Sequence, residues 1–198
     1  MASFQHDHTS HLPALVALLH QYTDTRRQSS PYETAIGGVS ILRSDPVKQP
    51  SQCMIKPALC ISIQGEKTAT FGDRLYEYRA GHGLVVTIEM PECGTVCAAS
   101  KTKPYLGLVL ELNLQILQEL VEERTADAGT RSKAKGAIAY TLKLNDELID
   151  CALRAVRLLA TPDAIPTLYP GIMREICYWL LRGPGGDQLR RIMVMTNG

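Results

Sequence analysis

PALCISIQGEKTATFGDRLYEYRAGHGLVVTIEMPECGTVCAASKTKPYLGLVLEL, residues 57–112, is the stretch on which the fold turns. Its first run, Ala58–Gln64, alternates Leu59, Ile61 and Ile63 with Cys60, Ser62 and Gln64, the two-residue period of a pleated strand. Gly65-Glu66 separates that run from Lys67–Phe71, and Gly72-Asp73 separates the latter from Arg74–Arg79. Glycine takes the positive φ that tight turns demand, so such pairs between β-prone runs signal hairpins. Gly81 and Gly83 bracket the next turn, ahead of Leu84–Glu89. Pro91 and Gly94 break the chain before Thr95–Ala99, and Pro104 introduces a last long strand, Tyr105–Leu112. Five or six short strands within about 55 residues predict an antiparallel barrel or sandwich.

Upstream, Leu12, Leu15, Val16, Leu18 and Leu19 form an apolar stripe at helical spacing, with Pro13 in the tolerant first turn. Thr23–Ser30 ends that helix. Ile36–Asp45 reads as one or two strands bent at Gly37-Gly38, and Ser44–Gln52 as a loop. Downstream, Asn113 caps a helix from Leu114 to about Arg124, and polar Thr125–Lys135 reads as an exposed loop. Ala137–Leu144 is a short strand or extended lead-in. Asn145 and Asp146 open a helix to Ala160, which Pro162 and Pro166 end. Asp150 and Arg154, four apart, form a surface pair on it. Tyr169–Arg182 is a third helix, and Asp187–Met195 begins a last one after Gly183-Pro184-Gly185-Gly186.

With 198 residues, 45% hydrophobic and 21% charged, the chain suits one domain with a full core plus a helical appendage. A net charge of +1 leaves no electrostatic footprint for nucleic acid. Six cysteines, at 53, 60, 93, 97, 151 and 177, form no CxxC pair. Met1–Ser10 is polar and His-rich rather than basic then apolar, so free thiols in the cytoplasm are expected. Cys93 and Cys97 on one strand would stand about 13 Å apart, beyond the ~7 Å limit for a disulfide. No apolar run approaches membrane-spanning length, so no membrane partner is expected.

Several ordered motifs resemble the effector-sensing N-terminal domain of AraC-type transcriptional regulators. PALCISIQGEK fits a PxxC(I/V)xxQGxK strand, GDRLYEYRAG fits GDxxYxYxxG, LVVTIEMP fits LVVxxxxP, and ASKTKPYLGLVLEL fits the closing strand. LYPGIMREICYWLLRGPGGDQLRR resembles the family's helical dimerisation region, so the likeness covers roughly Thr34 to Arg191. The resemblance implies an α+β fold: a cupin-like antiparallel β-barrel or jelly roll followed by C-terminal dimerisation helices. The expected division is an N-terminal helix and arm over 1–33, the barrel over 34–112 and the helical region over 113–198. It also implies a small-molecule effector, a homodimer and control of transcription. Trp179 departs from the family, which more often carries a basic residue there. The family's two helix-turn-helix units, which would read DNA, do not occur within these residues.

Chemistry beyond binding finds little support. A cupin enzyme holds its metal with an HxH pair, a carboxylate and a later histidine, whereas this turn offers only His82. No catalytic residue, metal site or cofactor is expected; His6, His8 and His11 lie in a polar terminus. No GxSxG elbow or phosphate-cradling glycine loop is present, and GPGGDQLR reads as a turn before a helix. For a pocket, the alternation offers Cys60, Ser62 and Gln64 on one strand and Cys93, Thr95 and Cys97 on another. Plain structural filling explains the same residues, because alternation cannot say which face is inside. Tyr76, Tyr78, Arg79, His82 and Tyr105 are further candidates near the turns. Leu153, Val156, Ile172, Ile176, Trp179 and Leu180 offer apolar surface for a dimer interface. The expected function is non-enzymatic effector sensing and dimerisation. The alternatives are a metal-independent cupin-type enzyme, such as an isomerase, and a truncated regulator acting as a heterodimer partner.

Overall fold

The computed structural model describes residues 11–26, 29–125 and 137–195. Helix α1 (His11–Asp24) leads into ten strands and four further helices. The strands are β1 (Tyr32–Glu33), β2 (Val39–Ser44), β3 (Lys48–Ile55), β4 (Ala58–Gln64), β5 (Glu66–Phe71), β6 (Arg74–Arg79), β7 (His82–Val86), β8 (Met90–Ala98), β9 (Tyr105–Glu111) and β10 (Ala139–Lys143). The later helices are α2 (Leu114–Thr125), α3 (Asp146–Leu158), α4 (Ile165–Arg182) and α5 (Gly186–Met195), with a 3-10 turn at Pro162–Ala164 before α4. Every pairing is antiparallel, in a six-stranded sheet ordered β1-β2-β9-β4-β7-β10 and a four-stranded sheet ordered β3-β8-β5-β6. Gly65 and Gly72 take φ of 82° and 61° in the turns flanking β5, as those turns require.

Three layers result. On the six-stranded sheet, Leu59, Ile61, Ile63, Leu106, Leu108 and Leu110 face the helices and are buried with Leu15, Leu19, Leu153, Ile176 and Leu180. The opposite parity, Ala58, Cys60, Leu84 and Val86, faces the four-stranded sheet and meets Ala69, Phe71 and Tyr78. One strand such as β4 therefore serves two cores, and its near-continuous burial follows. Helix caps match their sequence signals: the Asn113 and Asn145 side chains accept from the Ile116 and Leu148 amides, each at 3.1 Å.

Several expectations need correction. The expected cupin-like antiparallel β-fold followed by helices stands, although its two sheets are not closed into a barrel. Ser44–Gln52 is not a loop, because β3 occupies most of it and pairs with β8. Pro50 is compatible with that strand because β3 is an edge, where a missing N–H breaks no ladder bond. Pro91 and Gly94 do not interrupt β8, and the strand read as Leu84–Glu89 starts at His82 and stops at Val86. Pro166 does not end a helix but lies in the first turn of α4, which starts at Ile165. From the expected helical region over 113–198, β10 pairs with β7 and completes the six-stranded sheet. The loop read at Thr125–Lys135 lies, beyond Thr125, outside the described residues.

Leu153, Val156, Ile172, Ile176 and Leu180, expected at a dimer interface, are all buried in the chain's own core. Of that set only Trp179 is part-exposed, packed edge-on against Tyr178 with ring centroids 5.2 Å apart.

Candidate functional site

A cavity of about 390 Å³ lies between the sheets, lined by residues of β2, β4 and β9 from one and of β3, β5 and β8 from the other. Its walls are apolar at Ile55, Ala58, Val96 and Val109 and polar at Cys60, Lys67, Glu92 and Tyr105, and Glu33, Arg43, Lys48, Lys56 and Glu111 also line it. Apolar walls with placed polar groups are the ordinary character of a small-molecule site.

The polar centre is an ion pair. Lys67 Nζ donates to Glu92 Oε1 at 2.8 Å, and the Glu92 side chain is only 3% exposed. Lys67 leaves the β5 surface on the same parity as Ala69 and Phe71, and Glu92 shares the inward parity of β8 with Gly94 and Val96. Gly94 leaves room for the pair: a Cβ there would stand 2.8 Å from Lys67 Cε and 3.1 Å from Glu92 Oε1, and the end of the lysine would have to shift. Burial is the largest single influence on the Lys67 ammonium and pulls it down, but Glu92, Tyr105 and Cys60 together outweigh it and hold the group above its ordinary value. The second carboxylate oxygen of Glu92 accepts only a long contact from the Cys53 thiol, 3.8 Å.

The thiols are not primed for chemistry. Burial pushes Cys60 up to about 12 and raises Cys53 as well, so both are protonated at neutral pH. Burial likewise pushes Tyr105 up to about 12, with Lys67 pulling the other way. Gly107 makes room for that phenol, whose oxygen would lie 2.7 Å from a Cβ.

The residues singled out from sequence divide. Cys60 and Tyr105 line the cavity. Ser62 is on the same parity but is buried beyond it, donating to the Gly65 carbonyl at 3.3 Å. Gln64 donates to the Pro104 carbonyl at 2.7 Å and ties β4 to the loop before β9. Tyr78 is buried between the sheets, and Tyr76 packs edge-on against Phe71, centroids 5.7 Å apart. His82 opens β7 with its Nδ1 3.3 Å from the Ala80 carbonyl, and exposed Arg79 ends β6; neither lines the cavity. Cys93, Thr95 and Cys97 take the outer face of β8, where Cys97 contacts Thr68 Oγ1 at 3.7 Å. The parity was the wrong one, and Val96, the β-branched apolar residue of that run, was the signal for the inward face. Lys67, Glu92 and Gly94 were missed, although a charged residue in step with Ala69 and Phe71 marks a buried polar centre.

All six cysteines are free thiols. Among the described residues no group of three or more metal-ligating side chains converges, and no helix is long and apolar enough to cross a membrane.

A family model described as the AraC-type transcriptional regulator N-terminus matches residues 35–188. Among solved structures, the chain is similar to the AraC-like transcriptional activator CuxR, with 14% identity and a TM-score of 0.38 over 80% of this chain and 52% of that one. The chain thus spans about half the length of that activator. It is also similar to apo ToxT K231A from Vibrio cholerae, with 8% identity and a TM-score of 0.42 over 74% of this chain and 55% of that one. A cupin-2 domain protein from Shewanella frigidimarina shares 10% identity and a TM-score of 0.35, over 50% of this chain and 98% of that one. No curated protein matches the chain.

Proposed function

The chain belongs to the AraC-type transcriptional regulator N-terminal family, and from that premise we propose that it is the regulator's sensing and pairing module. A small molecule occupies the cavity between the sheets, and the helical layer joins two copies. It acts in the cytoplasm by binding rather than turnover, and DNA is read by other units of the regulator. The observation that carries the reading is the cavity itself: about 390 Å³, apolar-walled, with one buried ion pair and no activated nucleophile. The pairing surface falls on the outer stripe of α4, where Leu168 and Tyr178 are 52% and 40% exposed. Large exposed apolar side chains on one helix face fit a protein partner. A ligand influences that surface only by binding one arrangement more tightly than another.

Native mass spectrometry of the purified chain tests both halves. A dimer carrying a small molecule, with the molecule lost in Val96→Trp, is the expected result. A monomer without ligand across micromolar concentrations, in wild type and variant alike, would refute the proposal.

A further inference from the structure

We propose that the Lys67–Glu92 pair is a charge filter, so that the cavity selects an uncharged molecule carrying a hydrogen-bond donor beside an acceptor, as in a primary amide. The inference rests on the reading of the cavity as an effector site and names the ligand class it takes.

The argument starts from valence. An ammonium has three donors, and the structure gives Lys67 one acceptor, Glu92 Oε1. A carboxylate offers about four lone-pair positions, and Glu92 uses one on Lys67 and one on the distant Cys53 sulfur. Both groups line the cavity, so each turns unused capacity toward its contents. An amide suits that arrangement, its carbonyl accepting from Lys67 while its NH₂ donates to Glu92. A free carboxylate would face Glu92 at close range, and an ammonium would face Lys67. Like charges at a buried site cannot both stay ionised without penalty, and the other charged residues that line the cavity are more exposed than this pair, Lys56 at 60% and Glu111 at 40%. The rest of the molecule lies against Ile55, Ala58, Val96 and Val109.

The pair is also hard to explain as structural support. Apolar side chains of similar volume usually serve a core as well as a buried ion pair does. Yet β8 gives up a side chain at position 94 to make room for this one.

Hexanamide, hexanoate and hexylammonium share one tail and differ only in head-group charge, so ligand-observed NMR titration of the full chain with each reads the filter directly. Hexanamide should bind wild type about tenfold more tightly than either ion. Glu92→Gln should turn the preference toward hexanoate. The variant Lys67→Met/Glu92→Leu removes both charges with apolar side chains and so avoids stranding either; it should keep its fold by circular dichroism and weaken hexanamide about tenfold. Preference for either ion in wild type, abolished by Val96→Trp, would overturn the filter and leave the sensing cavity standing, as would unchanged hexanamide affinity in the folded double variant. Failure of all three probes to bind wild type at millimolar concentration would overturn the filter and the sensing cavity together.

Discussion

The thiols of Cys60, Cys151 and Cys177 share one condition: burial pushes each up to about 12. In an unfolded chain a thiol ionises near pH ~8.5, so above that point the folded state holds protons that the unfolded state has released. Stability from these groups is therefore fully present below about pH 8.5 and is lost as pH climbs toward the folded values. The slope reaches about 1.4 kcal/mol per pH unit for each fully buried thiol. Urea unfolding between pH 8 and pH 10.5 should thus show a falling midpoint, and Cys177→Ala should flatten the fall even though it lowers stability at pH 8. A pH-independent midpoint would mean that these sulfurs reach solvent. The same burial keeps Cys60 protonated at neutral pH, whereas the thiolate is the reactive species.

At the scale of elements, α4 shows why a helical stripe is easier to find than to orient. Its 3.6-residue period was plain in sequence, and so were the strands around Gly65 and Gly72, because turn glycines and alternation are local signals. The burial of Ile172, Ile176 and Leu180 is not legible in their spacing, because a sequence does not record what lies beneath an apolar stripe. That stripe belongs to the buried cluster that α4 shares with the other helices and the six-stranded sheet. β8 failed for a related reason: with small residues on both parities, its alternation carried no amplitude, and only Val96 and Glu92 told inside from outside. β3 was invisible because its residues are exposed on both faces, leaving no hydrophobic period to read. The two faces of α4 now make opposite predictions. Ile176→Asp places a charge where nothing is exposed and should cost about 3–5 kcal/mol, visible as loss of the cooperative transition. Tyr178→Glu, on the exposed stripe, should leave the unfolding midpoint within about 0.5 kcal/mol of wild type and shift sedimentation toward monomer. If Tyr178→Glu sediments as wild type does, the pairing surface lies elsewhere.

The whole molecule is held together by one sheet with two occupied faces. On β4, Cys60 borders the cavity while Leu59 and Ile61, its immediate neighbours, pack beneath the helices. A ligand and a helix are then separated by a single strand's thickness, and a shift of β4 or β9 registers on both sides at once. On the proposed function, this shared layer is the path by which an effector would bias the helical surface, since packed layers move as units rather than deforming continuously. The same arrangement forbids the strand-rich stretch from standing alone. Without the helices, Leu59, Ile61, Ile63, Leu106, Leu108 and Leu110 would face water, and β10 would be missing from the edge of β7. Exposing six such side chains forfeits about 9–18 kcal/mol at ~1.5–3 kcal/mol each, as much as the whole net stability of a typical domain, ~5–15 kcal/mol. A fragment of residues 34–112 should therefore show no cooperative unfolding and should bind a hydrophobic dye, whereas residues 11–195 unfold in one transition. A cooperative transition in the short fragment would mean that the sandwich carries its own core, with the helices merely attached to it. The coupling between cavity and helical surface would then have lost the shared layer on which it depends.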